Sequence, residues 1–340
     1  VKMTSCPYPL HAFPTGEKFP TGGDKYIFKK RDVTEVKKYV RLPNGKYAFV
    51  NLIDFVEIPC GVCEVCKANQ ARRKGERAMA EASMHLKNEV INLTYNNENM
   101  PLNKAGKPTL KYKDVQDFKK RLLKYWKQHY GAEGIKFLCA SEYGENYGRP
   151  HYHMIMFNFE AHDKYDWGES KKGSKQWRSP EIEKLWGKGH VTIGEVTPET
   201  IQYVSNYCLK KFKGKQAKGY YAIRDIEPEN VRGSNRNGLG SSFWGEHKET
   251  YEQYGKCFLG TFSGVKTIHV NSYFDELIAR EKGKEYLKSI KNERRELMEA
   301  KEITRSKTTG VDIEIQRQND YRQFLDRIKS AKKRNFKEED

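Results

Sequence analysis

The chain predicts an α+β protein built on an antiparallel sheet with helices packed on one face, plus an N-terminal β element and C-terminal helices. Three observations carry this expectation. Residues 137–142 and 151–157 are apolar-rich extended runs joined by a Gly/Asn-rich stretch, the pattern of a β-hairpin. Residues 112–130 place Val115, Phe118, Leu122, Leu123 and Trp126 at the i, i+3, i+4 spacing of an amphipathic helix that packs on a sheet. Two further runs, 90–95 and 190–196, read as strands by composition and alternation.

Composition narrows the partners. A chain of 340 residues can bury a real core, and 12% aromatic content argues against wholesale disorder. Lys and Arg number 63 against 45 Asp and Glu, giving a formal net charge of +18, so a polyanionic partner is expected. Only +4 of this falls in residues 281–340, which assigns the basic surface mainly to the body. Nucleic acid is the first candidate. No apolar run approaches the roughly 18 residues needed to span a bilayer, and the N-terminus is not signal-like. No membrane partner is therefore expected, and the chain reads as cytoplasmic. Seven cysteines, an odd number in a cytosol-like chain, make disulfides unexpected.

Taken in order, residues 1–58 read as a β-rich extension, with an Asn44-Gly45 hairpin cue between half-apolar runs. Pro59-Cys60-Gly-Val-Cys63-Glu-Val-Cys66 then offers thiolates spaced to grip one structural zinc (Zn2+), with the fourth ligand coming from Cys6 or from His11. A helix over 67–87 carries Arg72, Arg73, Lys74 and Arg77 near its start, as DNA-phosphate contacts or as a solvated face. Residues 161–188 read as a long loop with a short helix at 180–186, in which Trp167, Trp177 and Trp186 either stack bases or pack. Residues 59–215 are taken as a core domain, 216–271 as a basic loop-rich region and 272–340 as a charged helical tail.

Two stretches carry chemistry. Side chains alternate across a strand, so His151 and His153 point the same way, and Glu142 at the facing end of the neighbouring strand can complete three sides of a divalent-metal site. Manganese, magnesium or zinc suits that donor set. Downstream, Thr197-Pro198-Glu199 opens a helix, with Thr at the N-cap and Pro at the first helical position. On it Tyr203 and Tyr207 stand at i, i+4, and Lys210 and Lys211 continue along that side. Residues 210–218 hold five lysines and no acid, and Lys213 and Lys215 are further DNA contacts. A phenolate can attack a phosphodiester and store the bond energy as a phosphotyrosine. A phenol, with an ordinary pKa near ~10, needs a neighbouring cation to do so at neutral pH.

His151-Tyr-His153 resembles the His-hydrophobe-His signature of HUH endonucleases, and Tyr203-x-x-x-Tyr207-x-x-Lys210-Lys211 resembles their nucleophile motif in its two-tyrosine form. Asn92-Leu-Thr-Tyr95 looks like their first strand motif, and Glu142 falls where several members place a third metal ligand. Pro59-Cys-Gly-x-Cys-x-x-Cys, Glu142-Tyr-Gly with Gly148-Arg-Pro-His-Tyr-His, and Thr192-Ile-Gly-x-Val-Thr are similar to the replication initiators of gokushovirus-like microviruses, small single-stranded DNA phages. The resemblance covers roughly residues 59–215, and more loosely Gly238-Leu-Gly and Tyr273-Phe-Asp-Glu-Leu. It departs at Asn206, where relatives often carry a basic residue.

The resemblance implies rolling-circle initiation in the bacterial host's cytoplasm. The protein would nick single-stranded DNA at the origin of replication, stay on the 5′ phosphate and rejoin a unit-length circle. Magnesium (Mg2+) or manganese (Mn2+) at Glu142, His151 and His153 and recruitment of a host helicase and replication machinery are implied with it. Two other readings remain open on sequence: a relaxase- or transposase-type enzyme of a mobile element, and a non-catalytic zinc-containing nucleic-acid-binding protein.

Overall fold

The computed structural model describes residues 6–20, 22–144, 148–170, 173–209, 215–235, 237–261, 264–269 and 272–336, with backbone alone at 215–216 and 331–336. The chain divides into two compact units, Val1–Asn69 with Arg317–Lys329 and Gln70–Gln316 with Ser330–Asp340.

The first unit holds β1 (Leu10–Lys18), β2 (Asp24–Lys30), β3 (Val36–Arg41), β4 (Tyr47–Leu52) and β5 (Val56–Ile58). They form a three-stranded sheet in the order β2-β1-β5 and a separate β3-β4 hairpin. The Asn-Gly cue sits in the hairpin turn, where Gly45 N donates to Leu42 O at 2.9 Å. Its core is small: Ala12 and Phe13 are buried, with Phe55 against Phe13.

After α1 (Glu64–Ala82), the second unit runs β6 (Asn88–Thr94), α2 (Tyr112–Tyr130), β7 (Lys136–Tyr143), β8 (Pro150–Phe157), β9 (Tyr165–Glu169), β10 (Lys175–Arg178), α3 (Pro180–Trp186), β11 (Val191–Glu195) and α4 (Pro198–Asn206). A 3₁₀ turn (Tyr207–Leu209), α5 (Lys215–Arg224), β12 (Asn230–Gly233), α6 (Ser241–Tyr254), β13 (Lys256–Thr261) and β14 (Gly264–His269) follow. Then come α7 (Ser272–Lys282) and α8 (Lys284–Thr309), and α9 (Ile313–Phe336) gives its residues Arg317–Lys329 to the first unit. The main sheet has seven strands in the order β12-β7-β8-β6-β11-β10-β9, and every pair is antiparallel. The expected α+β class with a large antiparallel sheet is thus the one observed.

Helices cover both faces of that sheet, however, where one covered face was expected. On one face Ile91, Leu93, Tyr152, Met154 and Met156 pack against Val115, Phe118, Leu122 and Trp126 of α2 and Ile182 and Trp186 of α3. On the other, Val90, Leu138, Ala140, Ile155 and Phe157 meet Ala71 and Ala78 of α1 and Ile201 and Val204 of α4. The reason is visible in the strands. A strand buried on both sides reads as a continuous apolar run, as Met154-Ile-Met-Phe157 does, and each such side chain contributes roughly 1.5–3 kcal/mol on burial.

Other boundaries moved for local reasons. The stretch 161–188 holds its expected short helix, but β9 and β10 occupy the rest and extend the sheet at one edge. Both are short, β9 is the fully exposed edge strand, and neither has a clean alternation to betray it. β12 is four residues long, too short for a periodic signal, and closes the opposite edge beside β7. Residues 216–271, read as loop-rich, hold α6 and the β13-β14 hairpin, whose Trp244, Tyr251, Cys257 and Ile268 form a third core cluster with Phe274 and Ile278 of α7. Among the described residues no helix is long and apolar enough to cross a membrane.

Gly189, between α3 and β11, has φ of +150°, and a Cβ there would collide with backbone atoms Thr94 O, Asn96 N and Tyr95 C. The same backbone carries the His190 N to Thr94 O hydrogen bond at 3.1 Å, so it has no room to retreat. Gly189→Ala is therefore expected to cost about 2–4 kcal/mol and lower the melting temperature by several degrees. Gly194→Ala within β11, where a Cβ meets open space, should leave the melting curve unchanged.

Candidate active site

The β7-β8 pairing sets Glu142 opposite His151 and Ala140 opposite His153. Cross-strand partners share a face, so the carboxylate and both imidazoles meet on the side covered by α4. Glu142 is fully buried, and its Oε1 lies 2.9 Å from His153 Nε2 and 3.1 Å from His151 Nε2. On the other flank, β6 places Asn92 opposite His153, and β11 places Thr192 opposite Asn92. Asn92 Nδ2 donates to Thr192 Oγ1 at 3.2 Å, which turns Asn92 Oδ1 toward His153 Nδ1 at 2.7 Å.

With Asn92 Oδ1 as acceptor, that last bond calls for a proton on His153 Nδ1 and turns Nε2 toward the carboxylate. A lone pair and a carboxylate oxygen at 2.9 Å repel each other unless positive charge lies between them. The donor set, two imidazole nitrogens and one carboxylate oxygen with open positions left over, therefore fits a divalent cation. Gly144 contributes by its lack of a side chain, since a Cβ there would approach His151 Cε1 to 2.8 Å.

The tyrosines join this cluster. Thr197 caps α4 by accepting from Thr200 N at 3.1 Å, with Pro198 next. The α-helix stops at Asn206, and Tyr207 sits in the 3₁₀ turn that follows. Its ring stacks on His153 with centroids 5.1 Å apart and planes 7° apart, and its hydroxyl lies 3.2 Å from His153 Nε2. Tyr203 meets the same imidazole edge-on at 5.6 Å, and the Tyr207 hydroxyl donates to the Tyr203 oxygen. Tyr207 is 1% exposed, whereas Tyr203 is half-buried.

The basic candidates fare differently. Lys210, Lys211 and Lys213 lie outside the described residues, and Lys215 opens α5 with only its backbone described. Arg72 turns onto buried Glu76, with Nη1 to Oε1 at 2.6 Å, and that same oxygen lies 2.8 Å from His269 Nδ1. Arg73 beside it is half-buried. Of the tryptophans, Trp186 is core, its indole donating to Thr94 O at 3.0 Å, while Trp167 is exposed beneath the Arg178 guanidinium at 4.4 Å.

The first unit carries the second cluster. Cys6, Cys60, Cys63 and Cys66 bring their sulfurs within 4.8 Å of one another. Cys6 and Cys63 are 3.8 Å apart and Cys60 and Cys66 4.0 Å. Four thiolates about 2.3 Å from a tetrahedral zinc stand about 3.8 Å apart, so the spacing fits that ion. Backbone N–H groups of Cys60, Cys63 and Cys66 point at the sulfurs of Cys6, Cys60 and Cys63, as thiolates require. Cys6, and not His11, is the fourth member. His11 is occupied elsewhere, with Nδ1 2.8 Å from Val33 O and its ring stacked on Phe55 at 3.7 Å.

Asn92 and Thr192 were missed as positioning residues by sequence reasoning. The available signal was a polar residue in the middle of the apolar run Val90-Ile-Asn-Leu.

Comparison with known proteins follows the same residues. A family model for replication-associated proteins of the ORF2 type matches residues 88–212, from β6 through the turn bearing Tyr207. The replication-associated protein ORF2 of Spiroplasma virus 4 is 34% identical over 274 residues, covering 80% of this chain and 81% of that protein. The replication-associated protein ORF4 of Chlamydia phage 1 is 35% identical over 159 residues, 46% of this chain and 38% of the relative. The replication-associated protein VP4 of Bdellovibrio phage phiMH2K is 29% identical over 180 residues, 52% and 56% of the two chains. No solved structure gives a significant match. The chain belongs to the family of microvirus replication-associated proteins.

Two outcomes are expected. Asn92→Ala removes the acceptor that fixes the His153 tautomer, and should weaken Mn2+ binding about 10- to 100-fold by calorimetry while the melting curve holds. Protein purified without added metal should carry one zinc per chain by elemental analysis, and Cys6→Ala should abolish that stoichiometry.

Proposed function

We propose that the protein initiates rolling-circle replication by nicking single-stranded DNA at the phage origin through a phosphotyrosine intermediate and later rejoining a unit-length strand. The observation that supports it most is the Tyr207 hydroxyl 3.2 Å from His153 Nε2, which puts both phenols beside the Glu142, His151 and His153 cluster. The family supports a replication role, and residues 59–215 are the proposed nuclease core.

Glu142, His151 and His153 would hold magnesium or manganese, which polarises the scissile phosphate and offsets charge that develops there. Tyr203, the more exposed phenol, attacks first. Its oxygen bonds to phosphorus, the P–O3′ bond breaks, and the 3′ oxygen leaves as a hydroxyl with the phenolic proton's equivalent. The 5′ phosphate is now held on Tyr203. Tyr207, donating its proton toward the Tyr203 oxygen before the reaction, is placed to make the second cut later in the cycle. The 3′ hydroxyl released by that cut attacks the Tyr203 ester, restores a phosphodiester and frees the joined circle. Asn92 keeps His153 oriented throughout, and Lys210 or Lys211 neutralises phosphate charge. Arg72, Arg73, Lys213 and Lys215 are proposed DNA contacts, Arg72 only after it leaves Glu76. Origin DNA and the host's helicase and replication machinery are the partners, in the cytoplasm of the bacterial host, and zinc in the Cys6, Cys60, Cys63 and Cys66 cluster is structural.

The test is incubation of labelled single-stranded origin DNA with protein and Mn2+. A protein–DNA adduct that survives denaturant is expected. Tyr203→Phe should cut its formation by roughly three orders of magnitude or more. Tyr207→Phe should form the first adduct but fail to release joined circles. Persistence of the adduct in the double variant would refute the assignment of nucleophiles.

A further inference from the structure

The β3-β4 hairpin carries a feature that the nicking chemistry does not use. Its register pairs Lys37 with Asn51, Tyr39 with Phe49 and Arg41 with Tyr47, so these six residues form one face. The opposite face carries Val36, which is buried, and Lys38, whose Nζ donates to Thr15 O at 2.8 Å. That is the side turned inward. The outer face keeps Tyr39 at 59%, Tyr47 at 56% and Phe49 at 69% exposure.

Three large rings left in water side by side need a reason. Tyr39 and Tyr47 lie parallel, 5.0 Å apart with 7° between planes, and Phe49, directly across from Tyr39, stands 5.0 Å from it at 49°. The rings thus form one continuous apolar patch. Its surroundings are basic: the hairpin, residues 36–52, contributes Lys37, Arg41 and Lys46 and no carboxylate, while Lys38 on the inward face pairs with Glu17. Lys37 and Arg41 stand two residues to either side of Tyr39 on the same face, about 7 Å away along the strand, and both are exposed.

We propose that this face, Tyr39, Tyr47 and Phe49 flanked by Lys37 and Arg41, is a stacking platform for single-stranded DNA. Unpaired bases expose the flat faces that the rings can cover, and the cations meet the phosphates. A duplex hides its base faces in the stack and offers the rings nothing. The choice of DNA over RNA rests on the proposed nicking function; the polyanion itself is indicated by the charge of the face. A hairpin platform of this kind reads no sequence, because every base has a π-face. It would hold the displaced or incoming strand, leaving origin choice to other contacts.

The experiment uses the full chain carrying Tyr203→Phe and Tyr207→Phe, so that no cleavage complicates binding. A fluorescein-labelled 20-nucleotide oligo(dT) is titrated by anisotropy over a series of salt concentrations. Tyr39→Ala with Phe49→Ala should weaken binding about 10- to 100-fold, and Tyr39→Trp with Phe49→Tyr should restore it. Lys37→Ala with Arg41→Ala should reduce the salt slope by about 1.4. Bromouracil substituted into the oligonucleotide should cross-link, on irradiation, to peptides spanning residues 37–51.

Unchanged affinity in the double alanine variant, or cross-links that all fall elsewhere, overturns the proposal. So does a change in sedimentation state with unaltered DNA affinity, which would assign the face to contact between copies of the chain. Should the alanine pair lower the melting temperature, the cross-link map on the unaltered face decides. With Tyr203 and Tyr207 intact, the alanine pair should still form the denaturant-stable adduct at saturating DNA. Loss of nicking and loss of the platform are thereby read separately.

Discussion

One oxygen of Glu142 sits within 3.1 Å of two imidazole nitrogens, on a carboxylate with no exposure to water. Three donor atoms gathered this closely fit a divalent cation, and the rest of the second unit serves to hold them in place. The holding is done by register. β7, β8, β6 and β11 align Ala140, His153, Asn92 and Thr192 as one row across the sheet. A slip of one residue in any pair would send the histidines into the opposite core, so the apolar residues that fix register also fix the chemistry.

The reverse face of the sheet supplies the rigidity. Tyr152, between the two histidines in sequence, points away from them into a buried network. Its hydroxyl accepts from Lys111 N at 2.9 Å and lies 3.2 Å from the Tyr95 hydroxyl, which donates to Asp114. Burial pushes the Tyr95 and Tyr152 phenols well above the usual range, so they stay neutral donors and acceptors within the core. Arg149 clamps the end of the β7-β8 connection by donating to Tyr95 O and Asn97 Oδ1, both at 2.9 Å. Thus the same strand presents ligand atoms on one side and anchors itself on the other.

The first unit meets a different problem. Among the described residues its buried apolar side chains are Ala12, Phe13, Val36, Val65, Cys66 and Ile328, a small core to pin short strands by hydrophobic burial alone. Four clustered sulfurs, a set that fits one metal ion, bring the chain at Cys6 together with the start of α1 at Cys66. Burial pushes the Cys63 thiol up to about 11, with the Cys60 and Cys6 sulfurs against it adding to the rise.

Much of the site was legible along the chain. Alternation alone put His151 and His153 on one side of a strand, and the Thr197-Pro198 cap and the i, i+4 spacing brought Tyr203 and Tyr207 to one side of the turn that follows. Both signals are short-range, set by backbone geometry within a few residues. The α2 helix was read to its ends for the same reason. Short strands at or next to the sheet edges, β9, β10 and β12, escaped because they are held by a neighbour's hydrogen bonds and not by their own pattern.

What the sequence by itself determined was therefore the class of fold, the shared side of His151 and His153, the i, i+4 placement of Tyr203 and Tyr207, and the spacing of Cys60, Cys63 and Cys66. Only the tertiary structure decided that helices cover both sheet faces, that Cys6 and not His11 completes the thiol cluster, and that Asn92 and Thr192 orient His153. Each of these depends on which strand lies beside which, and in what register. That is settled by burial summed over the whole sheet, a quantity no local stretch of residues contains.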